Sequence, residues 1–547
     1  MMNDEPKIKT VGTRKSGGRF LSGVAVLTVS NVIVKLIGLL YKIPMIKFLG
    51  EEGMGYFNSA YELYTFFYII ATAGLPVAIS IMIAKSLEKG NVANVKKIYK
   101  VTLAILILIG ALGTLVLYYG AELFGELIGN TNAVGCIAAI APMATFICVA
   151  SAVRGFFQGH QNMIPTAVSQ IIEALGKLLL GLVLAIWSVK EGYSIPTAAA
   201  FATAGITAGV GLSMLYLLLS RAFFRWKSGE ENASEGVEGS KSILSTLFKI
   251  AVPITVSSTV ISLTRVIDLV MIMRRLQTIG YTMGAANAIY GSYSTLAVSM
   301  FNFPAAFVTP IAVSLVPVLT AAVQAKDGVR EKRVLNSSLR LCGLITLPAS
   351  LGLSVFSRPI LELVFSGETG AINISAPLLS VLGMSVFFSC IMTVTNSVLQ
   401  AYGCEKKPII SMIIGAVVKV LSAYILIGIP KINIYGAPIS TFLCAATVSL
   451  INLSYINKAT DKMSNVVKLF GRALICSVTA IGAAGFGYYF TVGKLGESHL
   501  LTLTFIALAA AIYGVLSLKI RAVTEDDILM LPAGEKINKI LRKVKLI

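Results

Sequence analysis

Two stretches decide how this chain folds: QGHQNMIPTAVSQIIEALGKLLL at residues 158–180 and QAYGCEKKPIISMIIGAVVKVLS at residues 400–422. A shift of 242 residues lays one on the other. Gln158 meets Gln400, Ser169 meets Ser411, Ala174 meets Ala416 and Lys177 meets Lys419, while Pro165 and Pro408 fall one position apart. A weaker echo links TVS at 28–30 with TVS at 255–257, and Gly55, Asn58 and Tyr61 with Gly284, Asn287 and Tyr290. Chance matches are common among apolar residues, so the matched polar ones carry the weight. A lysine thus sits deep in an apolar run twice, at corresponding places in two halves of the chain.

The surroundings of those runs set the class. The chain has 547 residues, of which 56% are hydrophobic and 13% charged, about half the charge of a soluble protein. That much apolar surface cannot be hidden inside a water-soluble domain of this length. Crossing the hydrocarbon core takes about 20 apolar residues. That ruler gives fourteen spans: 20–48, 55–84, 99–120, 133–156, 164–187, 196–220, 244–273, 287–322, 337–357, 372–401, 408–429, 435–456, 470–491 and 499–519. The expected fold is an all-α polytopic membrane protein. Seven scattered cysteines without a CxxC, and only two histidines (His160 and His499), offer no disulfide framework and no metal site. No G-x-x-x-x-G-K-[ST] is present, which argues against ATP hydrolysis.

The net charge of +20 does not point to nucleic acid, because the basic residues cluster in short loops between apolar runs. The N-terminal tail, 85–100, 220–241, 324–333 and 457–472 are rich in Lys and Arg, whereas the alternate loops GEEG (50–53), AELFGELIGN (121–130) and FSGETG (365–370) are acidic or neutral. That bias places both termini in the cytoplasm. EKINKILRKVKLI at 535–547 reads as an amphipathic helix on the cytoplasmic leaflet.

The repeat maps spans one, two and five onto seven, eight and eleven. Six is even, so the two halves have the same orientation, with two further helices appended. Parallel repeats of this kind build rocking carriers whose substrate site lies near the midplane between the halves. The expected division is a basic tail (1–19), a first lobe (20–221), a linker (222–243), a second lobe (244–456), the last two helices (457–520) and a cytoplasmic C-terminal segment (521–547).

Charges inside the spans are the candidate site, since each costs about 3 kcal/mol at the bilayer centre. They are Lys35, Lys42, Lys177, Arg265 and Lys419, with Glu62, Glu173 and Asp268 as charge partners or ion-coupling groups. Glu173 with Lys177 at i,i+4, and Arg265 with Asp268 at i,i+3, can equally neutralise each other, and Lys42 can snorkel to the outer interface. Lys35 and Lys419 have no acid within a turn on their own helix, which favours a ligand role. Together these groups suggest a cavity with surplus positive charge, suited to an anion.

Four stretches carry a family resemblance: SGVAVLTVSNVIVKLIGLLYKIPMIKFLGEEGMGYFNSAYELY (22–64), AGLPVAISIMIAK (73–85), SAVRGFFQGHQNMIPTAVSQIIE (151–173) and TEDDILMLPAGEKI (524–537). They resemble the MOP exporter superfamily, and within it the stage V sporulation protein B / MurJ-like branch, over essentially the whole chain. The resemblance implies a MATE/MurJ-like fold. It also implies a flippase that moves an undecaprenyl-diphosphate-linked saccharide, such as the peptidoglycan precursor lipid II, to the outer leaflet. In MurJ proper, span one carries S-R-x-x-G-x-x-R-D and span eight R-x-x-E-F-P. Here Lys35 and Gly38 match the first Arg and the Gly, Tyr41 and Lys42 replace the Arg-Asp pair, and Ser299 and Asn302 replace the charges before Phe303-Pro304. The departures would shift the cationic role to Lys42, Arg265, Lys177 and Lys419.

The expected partners are an anionic lipid-linked oligosaccharide and membrane lipids, with no nucleic acid and a monomeric form. No covalent step, enzyme activity, metal or cofactor is called for; Na⁺ or H⁺ coupling and the membrane potential stand as alternative energy sources. Teichoic acid or capsular polysaccharide flipping, multidrug export and a non-transporting envelope-assembly scaffold are the competing functions.

Overall fold

The computed structural model describes residues 13–224, 236–404, 406–460 and 463–524. The N-terminal tail as far as residue 12, residues 225–235 of the 222–243 linker and the amphipathic segment at 535–547 lie outside the described residues. Among the described residues the regular structure is helical throughout. Hydrocarbon requires this, because a chain within it must satisfy its N–H and C=O groups internally. Twelve helices there are long and apolar enough to cross a membrane. One of them, Val29–Glu88, holds two of the fourteen expected crossings, and a further crossing falls on the 39-residue helix Ser240–Thr278.

The chain divides into two compact units. The first contains Met1–Tyr41, Leu63–Phe124 and Val134–Ser262, the second Lys42–Glu62, Gly125–Ala133 and Leu263–Ile547. The sequence-based lobes met at the 222–243 linker, so the compact units exchange short segments relative to that division. Contact explains the exchange. Within the second unit, a Cβ on Gly55 would lie 2.3 Å from the carbonyl oxygen of Asn287, and one on Gly291 would lie 2.1 Å from that of Glu51. Only bare backbone allows such an approach. Asn58 Nδ2 then donates to Thr295 Oγ1 (2.8 Å), and Asn130 Nδ2 to Asn287 Oδ1 (2.8 Å).

The first helix, α1 (Thr13–Thr72), runs through residues of both units and is broken at one residue, Gly50 (φ 67°, ψ −178°). Backbone there is open essentially to glycine alone. The GEEG stretch is therefore a single-residue corner followed at once by helix. In the first unit come α2 (Leu75–Glu88), α3 (Val92–Tyr119), the start of α4 (Ala121–Ile128), α5 (Val134–Ile140), α6 (Met143–Gly159), α7 (Ile164–Lys190), α8 (Ile195–Ala222) and the start of α9 (Ser240–Thr278). Pro76 and Pro165 occupy the first turns of α2 and α7, where a missing N–H costs nothing. The tightest pairing joins α7 to α8: a Cβ on Gly176 would lie 2.6 Å from Gly209 Cα, and one on Gly209 would meet Lys177 N at 2.6 Å and Glu173 O at 2.9 Å. Glycines at this crossing bring the two axes together and fix where Glu173 and Lys177 stand.

The second unit continues through α10 (Met283–Ser292), a π-helical turn (Tyr293–Ala297), α11 (Val298–Asn302), α12 (Ala305–Gln324), α13 (Gly328–Val355), α14 (Ser357–Val364), α15 (Thr369–Ala401), α16 (Lys406–Ile427), α17 (Gly436–Thr460), α18 (Val466–Leu495) and α19 (His499–Lys519). Its core joins Leu335, Leu339 and Cys342 of α13 to Phe470, Ala473 and Cys476 of α18. The two helices beyond the repeat are thus anchored by ordinary apolar packing.

Candidate functional site

In the first unit three charged side chains from two helices meet. Glu173 on α7 is buried, and its two oxygens are divided between different partners. Oε1 accepts from Lys177 Nζ (2.8 Å) and from Tyr64 OH (2.8 Å). Oε2 accepts from Arg154 Nη2 (3.1 Å). Arg154, on α6, spends every guanidinium nitrogen inside this unit. Nε donates to Ser169 Oγ (3.0 Å), Nη2 also to Ser213 Oγ (3.2 Å), and Nη1 reaches Tyr68 OH at 3.5 Å. Lys177 Nζ lies 4.4 Å from the Tyr64 ring centre and donates to the Tyr64 hydroxyl. The side chains of Arg154 and Glu173 are 3% and 6% exposed and that of Lys177 is 17% exposed, so Lys177 is the most exposed member of the cluster.

The second unit gathers five of the eight residues singled out from the sequence. Glu62 lies within electrostatic reach of Arg265, Lys42, Asp268 and Lys419. Lys419 Nζ sits 2.5 Å from Asp268 Oδ2, and Arg265, one turn earlier on α9, also acts on Asp268. Lys42 Nζ donates to the Ser294 carbonyl (3.1 Å) and to Ser299 Oγ (3.0 Å). A π-helical turn shifts the backbone ladder by one residue, and this one aims the Ser294 carbonyl at the ammonium. Glu62 Oε2 is buried, with no hydrogen-bond partner among the described residues.

Lys419 has no acid within a turn on its own helix, but Asp268, 151 residues away in sequence, pairs with it from α9, a contact that no helical spacing could reveal. Lys42 does not snorkel outward but is held on neutral oxygens around the π turn. Lys35 lies on an exposed stretch of α1 with Val32, Ile33 and Leu36. Sequence reading also missed Arg154. Its signal was present, an arginine inside the apolar run SAVRGFF, nineteen residues before the acid it neutralises on the next helix.

The same motif serves a second purpose. Phe156, His160 and Phe224 meet with their rings tilted or edge-on, and the Arg221 guanidinium lies 4.3 Å from the Phe156 ring centre and 5.0 Å from that of Tyr99. The RGFFQGH stretch therefore builds one buried ion cluster and one cation–aromatic box.

An internal duplication, twelve helices among the described residues long and apolar enough to span a membrane, and the charge clusters they carry define a multi-pass membrane transporter. The chain belongs to the polysaccharide biosynthesis protein family, whose sequence profile matches residues 20–323, within the MOP superfamily; the MatE profile matches residues 253–425. Similar proteins from Bacillus subtilis (strain 168) include the membrane protein YabM, 28% identical over 95% of this chain and 96% of its own length. Stage V sporulation protein B is 25% identical over 94% and 98%, and lipid II flippase MurJ is 27% identical over 74% and 76%. A solved structure of lipid II flippase MurJ in an inward closed conformation superposes with a TM-score of 0.66 at 17% identity, covering 90% of this chain and 98% of that one, which establishes the fold.

Proposed function

We propose that this protein is a flippase for an undecaprenyl-diphosphate-linked saccharide, with lipid II as the cargo, moving it from the inner to the outer leaflet by alternating access. One observation carries the reading: each charge cluster within the apolar helices holds one more cation than carboxylate. Arg154 and Lys177 face Glu173 in the first unit, and Lys42, Arg265 and Lys419 face Glu62 and Asp268 in the second. An uncompensated cation in a low-dielectric interior is costly unless an anion joins it. Lysine ammonium groups suit phosphate as point charges, and an arginine can bind it through two parallel N–H groups. The likeness to stage V sporulation protein B and to lipid II flippase MurJ supports a lipid-linked cargo.

No bond of the cargo need be made or broken, so the protein's work is binding, charge compensation and change of access. Both termini lie in the cytoplasm on this reading, as the basic loops require. A multidrug exporter for organic cations would call for surplus carboxylate rather than surplus ammonium.

The test is expression in a bacterium depleted of its own lipid II flippase, followed by measurement of lipid II in each leaflet. Restored outer-leaflet lipid II is expected, lost on Lys177→Gln with Lys419→Gln. Persistent inner-leaflet accumulation combined with efflux of cationic dyes would replace the proposal with drug export, and restored leaflet distribution in the double variant would remove the lysines from the site.

A further inference from the structure

The two oxygens of Glu173 are not equivalent in what holds them. Oε2 belongs to Arg154, which is fixed by Ser169, Ser213 and Tyr68 as well and is 3% exposed. Oε1 belongs to Lys177, whose four-carbon stem is flexible and whose side chain is the most exposed of the three. A lone Lys–Glu pair cannot open in a membrane interior without stranding a charge. Here it can. When Lys177 swings away, Glu173 keeps both the guanidinium and the Tyr64 hydroxyl.

We infer that Arg154 is a positioning residue that keeps Glu173 neutralised, so that Lys177 becomes an exchangeable ammonium able to leave its carboxylate for a phosphate oxygen of the ligand. This rests on the flippase reading for the identity of that ligand, but the availability of Lys177 is a property of the cluster itself. Tyr64 completes the arrangement: its hydroxyl donates to Glu173 Oε1 and accepts from Lys177, so it bridges the two while they are paired and stays with the acid when they part.

The prediction is one of rescue. In Arg154→Gln, Glu173 must rely on Lys177, and the lysine is locked. In the double variant Arg154→Gln with Glu173→Gln the lock is gone, and Lys177 is free again. Full-length protein in lipid nanodiscs is titrated with farnesyl diphosphate by calorimetry, and the rate at which a water-soluble acylating reagent modifies Lys177 is followed by peptide mass spectrometry. The expected outcome is that Arg154→Gln and Lys177→Gln each weaken farnesyl diphosphate binding about tenfold, and that the double variant recovers most of it. Acylation of Lys177 slows in Arg154→Gln and recovers in the double variant.

Arg154→Lys, which keeps the charge but loses the fixed fork, falls between. A double variant that stays folded yet binds and labels no better than Arg154→Gln would overturn the inference, as would an Arg154→Gln protein that behaves like the parent. Should the parent protein ignore farnesyl diphosphate altogether, the cargo reading is the part that fails. The labelling rates then still decide the role of Arg154.

Discussion

Lys419 and Asp268 form a pair in which each member has a further opposite charge within reach. Removing one partner of a buried ion pair costs roughly 3–5 kcal/mol when the other is left alone. Asp268 has a second cation nearby in Arg265, and Lys419 a second carboxylate in Glu62. Asp268→Asn and Lys419→Gln should therefore each destabilise the protein by only about 1–2 kcal/mol, with Asp268→Leu plus Lys419→Met recovering much of the loss. Thermal unfolding in one detergent compares the three. A loss of about 3 kcal/mol or more in either single variant would show that the second charge does not serve the one left behind. At this scale the sequence revealed what helical spacing can reveal. Glu173 and Lys177 were legible because they are four apart on one helix. Lys419 with Asp268, and Arg154 with Glu173, were not, because partners supplied by different helices leave no periodic trace.

Helices were the legible elements, since fourteen apolar runs of membrane length have no other stable form in hydrocarbon. What a hydropathy ruler does not see is the joint between them. Gly50 alone turns α1 from its first crossing to its second, and its φ of 67° with ψ near 180° suits no side chain. Gly50→Ala should cost about 1–3 kcal/mol, seen as a lowered melting temperature, although nothing lies within 4 Å of a Cβ placed there. Gly209→Ala acts by the opposite route. Its backbone is ordinary, but the added methyl would meet Lys177 N and Glu173 O at 2.6 and 2.9 Å. Backbone cannot yield as a side chain can, so α8 must move off α7 at a cost of roughly 1–3 kcal/mol. Because that crossing positions Glu173 and Lys177, the variant should also lower transport beyond what its loss of stability explains. Flipping by equal amounts of folded parent and variant protein in vesicles separates the two effects. The π-helical turn that receives Lys42 escaped sequence reading entirely, for no residue pattern announces a one-residue shift of the backbone ladder.

For the whole molecule the duplication set the expected lobes, and the compact units group short segments differently. Residues 42–62 descend from the first half of the sequence yet pack with the second unit, because Gly55 and Gly291 permit a backbone approach that outweighs chain order. On the flippase reading, electrostatics at this scale makes the membrane potential a source of drive. A diphosphate carrying two charges outward gains about 2.3 kcal/mol per charge at 100 mV, negative inside, or roughly 4–5 kcal/mol per cycle. The buried ammonium and guanidinium groups cannot change that total: whatever charge the protein moves outward with the cargo it returns when empty. They decide only which stroke feels the field. Vesicles holding the protein and lipid II should therefore build a higher outer-leaflet fraction under an inside-negative potassium diffusion potential, and lose it when the potential is collapsed. A Lys177→Gln protein that retains some activity should approach the same final ratio at a different rate, since neutralising one travelling charge alters the strokes and leaves the net transfer unchanged. An outer-leaflet fraction that follows an imposed Na⁺ or H⁺ gradient and ignores the potential would assign the drive to a coupled ion instead, with Glu62, whose Oε2 has no hydrogen-bond partner among the described residues, as the first group to replace by Gln.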